Sequence, residues 1–158
     1  GDTTIPTVVI TSPTPSQVFT VAPITATGTA ADNVAVTSVR VRLNSGSWQT
    51  ATGTATWSLG LSLIDGSNTI EAQSFDAANN SSTVASVTVT YTPPDTTIPT
   101  VTIVAPTAGQ VVTTPTFTTT GTAADNLSVS AVRIRLNSGA WQTATGTTSW
   151  SLGLTLLQ

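Results

Sequence analysis

The chain has 158 residues, a net charge of −3 and no cysteine, methionine or histidine, which excludes disulfides, thiolate nucleophiles, Cys/His zinc sites and His-based acid–base chemistry. Its four basic residues, Arg40, Arg42, Arg133 and Arg135, face seven acids, so nothing is present to neutralise a phosphate backbone and nucleic acid is not expected as a partner. No apolar run reaches the roughly 18 to 20 residues of a membrane span, and no charged-then-apolar leader opens the chain at Gly1.

Period-2 alternation of apolar and polar residues predicts strands over 7–12, 24–30, 38–43, 48–51, 54–63, 68–75 and 83–91. In "TATWSLGLSL", Trp57, Leu59, Leu61 and Leu63 fall on one face, with Thr56, Ser58, Gly60 and Ser62 on the other. In "SVRVRLNSGSW", Val39, Val41 and Leu43 point inward and Arg40 and Arg42 outward. The turn after them, Asn44-Ser45-Gly46, is expected to use Gly at the position needing a positive φ. In "NTIEAQS", Ile70, Ala72 and Ser74 face the core, and Glu71 is expected to pair across strands with Arg40 or Arg42. Thr fills 36 positions, and its β-branched side chain suits the half-buried pleated surface that these strands imply.

Residues 2–65 align without a gap on 95–158 at an offset of 93, with 42 of 64 pairs identical. The chain is therefore an internal duplication, with a complete repeat over 1–94 and a second over 95–158 that lacks its last two strands. Seven short strands in about 93 residues match an immunoglobulin-like sandwich of two antiparallel sheets. The expected fold class is thus all-β: tandem immunoglobulin-like β-sandwiches, the second incomplete. Without closing strands, Val132, Ile134, Leu136 and Trp150 are expected to lose their partner strands, and neighbouring repeats or copies of the chain are expected partners, by strand complementation of the second repeat.

"DTTIPTVVITSP", "ITATGTAADNVAVTSVRV", "GSNTIEAQSFDAANN" and "SVTVTYTPP" resemble bacterial immunoglobulin-like repeats of secreted and surface proteins, and the related accessory domain of glucodextranase-type enzymes. Where that family usually has Gly, this chain has Ala35 in "DNVAV" and Asn79 in "DAANN"; Asn tolerates the left-handed conformation, so the second turn is expected to be kept. The resemblance implies an extracellular or cell-surface, non-catalytic structural protein, the shaft of an adhesin or filament. The alternative is an accessory, carbohydrate-associated module of a secreted polysaccharide-active enzyme, and a phage or virion decoration is a third class.

No nucleophile–base pair is written in the chain, and no cofactor is required. Oxygen is the only metal ligand on offer, which suits a hard cation, and the resemblance to rod-like surface proteins points to calcium, with Asp32, Asp76, Asp95 and Asp125 as candidate ligands; the competing reading is that these loop residues make turns by bonding their own backbone. Trp57 and Trp150 continue an inward series and are expected in the core, while Trp48 and Trp141 follow a turn and could sit at the core edge or stack on a glycan. Asn79, Asn80 and Asn126 each open an N-glycosylation sequon.

Overall fold

The computed structural model describes residues 1–156. The chain divides into two compact units, Gly1–Pro94 and Asp95–Gln158, whose last two residues lie outside the described span. Every regular element in the described residues is a strand, and there is no helix long and apolar enough to cross a membrane.

Two sheets form the first unit. One runs in the order β1 (Thr7–Ser12), β3 (Ile24–Ala31), β7 (Thr56–Leu61), β6 (Thr52–Gly53). The other runs β2 (Val18–Phe19), β9 (Ala85–Tyr91), β8 (Gly66–Asp76), β4 (Val36–Leu43), β5 (Gln49–Thr50). Strict alternation drives burial: Asn68, Ile70, Ala72, Ser74 and Asp76 of β8 are buried, while the residues between them are half-exposed. Val39, Val41, Ile70, Ala72 and Val89 are fully enclosed together with Ala26, and Trp57 and Leu61 close the opposite sheet over them. Removing apolar surface of this kind from water is the main favourable term in folding, about 25 cal/mol per Å².

Three features differ from the sequence expectation. The strand expected over 48–51 is split, because Gln49–Thr50 pairs with β4, Thr52–Gly53 pairs with β7, and buried Ala51 marks the crossing between sheets. The turn after β4 does not place Gly46 at a positive φ. Asn44 and Ser45 adopt φ of 51° and 59°, and the Gly46 N–H donates to the Leu43 carbonyl at 2.9 Å, the pattern of a type I′ hairpin turn with Gly46 at its fourth position. Finally, Val18–Phe19 forms a short strand parallel to β9, through bonds such as Thr90 N–H to the Gln17 carbonyl and Thr92 N–H to the Phe19 carbonyl. Two residues are too few to show alternation, so the pattern could not announce it. Asn79 does take the left-handed conformation, with φ of 66°.

The second unit repeats the first three strands of the first unit's four-stranded sheet in the same register, and the fourth is reduced to a single bridge, Thr145 to Ser151. β10 (Thr100–Ala105), β11 (Thr116–Ala124) and β14 (Ser149–Thr155) pair in that order. Thr100 stands opposite Ala124 as Thr7 does opposite Ala31, and Gly121 opposite Trp150 as Gly28 does opposite Trp57. Its other sheet is reduced to β12 (Arg133–Ile134) against β13 (Gln142–Thr143). The expectation that Trp150 would be stranded is not met: Trp150 is 2 % and Val132 5 % exposed, and the exposure falls instead on Val101 and Ile103 of β10, at 59 % and 61 %.

Trp150 stays covered because it packs in a cluster with Ala123, Val132 and Ala144, against Val129, Ile134 and Leu152, and because Gly121 leaves room for its ring. A Cβ on Gly121 would come within 2.2 Å of the Trp150 ring and 2.0 Å of the Thr102 carbonyl, and one on Gly28 would meet the Trp57 ring at 2.3 Å and the Val9 carbonyl at 2.0 Å. In each unit the indole thus occupies the space a side chain would need. Trp57 also donates its Nε1–H to the Thr29 carbonyl at 3.3 Å. Replacing Gly28 with Ala is therefore expected to cost about 1–3 kcal/mol, the range for overpacking a filled core. Urea unfolding followed by Trp fluorescence should show a lower midpoint at unchanged slope, and an unchanged midpoint would refute this packing.

Candidate functional site

At one end of the first unit, the loop after β3, the end of β8 and the N-terminal segment bring three carboxylates together. Oxygens of Asp2, Asp32 and Asp76 lie within 4.8 Å of one another. Asp76 ends β8 and is 4 % exposed, and its carboxylate accepts the Asn80 N–H at 2.8 Å and the Asn80 side-chain amide at 2.6 Å. Asp32 accepts the Val34 N–H at 3.0 Å, whereas its other oxygen is shielded from solvent with no donor. Asp2 accepts from Thr4 N–H at 3.0 Å and from the Asn33 amide at 3.3 Å, and its carbonyl accepts from Asn80 at 3.1 Å.

Of the expected ligands, Asp32 and Asp76 meet here, and Asp95 and Asp125 belong to the second unit. The missed residue is Asp2, whose identity with Asp95 at the repeat offset was the available signal. Asp95 and Asp125 reproduce the local bonds of Asp2 and Asp32, accepting from Thr97 and Leu127 N–H at 3.0 and 3.2 Å, and one Asp125 oxygen is likewise shielded without a donor. No other acid lies in 95–158 to play the part of Asp76.

The cluster suits a hard divalent cation. Calcium holds oxygens at about 2.3–2.6 Å, so its ligands lie within roughly 5 Å of each other, and among the described residues the one ion pair, Arg42 with Glu71, lies elsewhere. Turn chemistry is present as well, since all three carboxylates bond nearby backbone or amide N–H groups. It leaves one Asp32 oxygen without a donor, as it does the matching oxygen of Asp125, which has no such cluster around it among the described residues.

The outer face of β4 carries the Arg–Trp contacts. Glu71 stands directly opposite Arg42, and its carboxylate receives Arg42 Nε at 2.5 Å. The Arg42 guanidinium lies 4.4 Å over half-buried Trp48, and that of Arg40 lies 4.7 Å over Phe75. In the second unit Arg135 covers Trp141 at 4.6 Å, and Trp141 remains 57 % exposed. One face of each surface indole is therefore taken by an arginine. Among the sequons, Asn79 and Asn126 are exposed, while the Asn80 amide is committed to Asp76 and Asp2.

Residues 6–72 and 99–156 both match the profile of the bacterial Ig domain. The chain belongs to that family. Among solved structures it is similar to fibronectin(III)-like modules of CbhA from Clostridium thermocellum, with a TM-score of 0.50 and 19 % identity over 57 % of this chain. This chain spans 48 % of that structure's length, and the likeness is one of fold. No curated protein sequence matches. The chain is thus an immunoglobulin-like module built of tandem repeats.

The Thr4 backbone N–H holds the Asp2 carboxyl below its ordinary value of 3.8, and the Asn33 amide adds to that against the effect of desolvation. A depressed folded-state pKa contributes stability that is present above the unfolded value and lost as pH falls through the folded one. Acid unfolding below pH 3.8 should therefore include a component that Asp2→Asn removes. Identical acid-unfolding curves for the two chains would overturn this reading.

Proposed function

We propose that the chain is a non-catalytic structural segment of an extracellular surface protein, part of the shaft of an adhesin or filament. The observation that carries this reading is the same sheet written twice in the same register, from Thr7↔Ala31 and Thr100↔Ala124 through to the two Gly–Trp pairs. Repetition of one framework presents one surface at intervals, which serves reach and packing. The Asp2–Asp32–Asp76 cluster supplies a calcium staple in this reading, joining the segment before β1 to the loop after β3 and the end of β8. A second reading, a glycan-associated module of a secreted enzyme, rests on exposed Trp141.

Two experiments test these readings. Antibodies raised against the chain should decorate the outside of intact source cells in immunogold microscopy; label confined to the cytosol would end the shaft reading. With calcium at about 100 times its Kd, the folded state should gain about 2.7 kcal/mol, raising the melting temperature by several degrees, and Asp76→Asn should abolish the rise. A melting temperature indifferent to both chelator and millimolar calcium removes the staple.

A further inference from the structure

Two arginines stand on the outer face of β4, two residues apart, and their surroundings differ. Arg42 is occupied on two sides, with its guanidinium over Trp48 and its Nε bonded to Glu71, the residue opposite it on β8. Arg40 has Gln73 opposite it on β8 and Thr50 opposite it on β5. Both of these are neutral, and among the described residues no carboxylate pairs with Arg40.

Arg40 is held in place all the same. Its guanidinium lies 4.7 Å over the half-buried ring of Phe75, while the residue as a whole stays exposed. Stacking engages the face of the group and not the N–H donors around its rim. A guanidinium fixed in this way loses little freedom on binding, and its planar fork matches an oxyanion through two parallel bonds. The local demand is for one anionic group.

The neighbours of Arg40 say what carries that group. Gln73 spends its amide N–H on the Ser82 carbonyl at 3.0 Å, which leaves its Oε1 as an acceptor. Thr50 is exposed and offers a hydroxyl that both donates and accepts. Glu71, two residues before Gln73 on the same face of β8, adds negative charge. The ionised side chains of an acidic peptide only accept, and a second carboxylate would meet Glu71. A sugar acid carries one carboxylate and several hydroxyls on a single ring, which suits one guanidinium flanked by acceptors.

We propose that Arg40 anchors the carboxylate of a uronic acid residue in an acidic polysaccharide, with Thr50 and Gln73 Oε1 bonding the ring hydroxyls. The proposal rests on the glycan-associated reading and moves its anchoring contact from an indole to a guanidinium. Arg133 stands opposite Thr143 as Arg40 does opposite Thr50, so this pair is written into both copies of the repeat.

The test titrates the isotope-labelled 158-residue chain with oligogalacturonate and follows the resonances of Arg40, Thr50 and Gln73 by NMR. A neutral malto-oligosaccharide of equal length and a polyglutamate peptide are the controls. Saturable shifts at these three residues are expected with oligogalacturonate alone, and added salt should weaken them. Arg40→Gln should lower affinity roughly tenfold, as removal of a charge-assisted contact does, and Arg40→Lys should recover little of it, because lysine lacks the planar fork. Gln73→Glu gives Arg40 a carboxylate of its own, as Glu71 does for Arg42, and should suppress binding while the melting temperature shows the fold intact. No shifts at millimolar oligogalacturonate, full affinity in any of these three variants, or equal binding of polyglutamate would each overturn the proposal. Binding of the neutral oligosaccharide at Trp48 or Trp141 with no preference for the acid would also overturn it, while leaving the glycan-associated reading standing.

Discussion

The pairing of β8 with β4 on one side and β9 on the other is the constraint on which the first unit rests. Its buried residues fill the space between the sheets, and a shift by one residue would turn Ile70 and Ala72 outward and bring Thr69, Glu71 and Gln73 into the core. Register is held from several directions. Arg42 meets Glu71 on the outer face, the Ser74 hydroxyl reaches across to the Thr7 carbonyl, and buried Asn68 bonds both the Ile64 N–H and the Ile64 and Gly66 carbonyls. The same strand delivers Asp76 to the acidic cluster, so core, surface pair and candidate cation site share one element.

The second unit separates what depends on that element from what does not. Its three-stranded sheet keeps every pairing of its counterpart, and Trp150 remains buried over Gly121. Its β4 equivalent shrinks to two paired residues, Arg133 and Ile134. The indole–glycine contact is therefore local to one sheet, while the long inward-facing strand exists only where a neighbour satisfies its N–H and C=O groups. Trp150 Nε1 has no acceptor, unlike Trp57 with its bond to the Thr29 carbonyl. The framework is thus repeated without the bond that anchors the indole of the first copy.

Alternation made the long strands and the core legible in the sequence, because a period of two assigns each side chain to a face before any packing is known. It identified Val39, Val41, Ile70, Ala72 and Ser74 as inward and Glu71 as the partner of an arginine. It failed where the chain changes sheet, at Ala51 and at Val18–Phe19, since two-residue segments carry no period. The turn at Asn44-Ser45 was misread for a different reason: the hairpin needs left-handed backbone at both central residues, and Asn and Ser accept it there. Asp2 was invisible as a cluster member because its neighbours Asp32 and Asp76 are distant in sequence, and only the repeat offset linked it to Asp95.

The short strand β2 gives the first unit a directional property. It lies near the start of the unit and pairs in parallel with β9, the strand that ends it. A pull on the two ends drags parallel neighbours past each other, so the bonds from Ser16, Thr90 and Thr92 N–H to Thr88, Gln17 and Phe19 carbonyls are loaded in shear and must yield together. An antiparallel hairpin pulled from its open end would instead unzip one bond at a time. Tension between the two ends of the first unit therefore loads in shear a contact only two residues long.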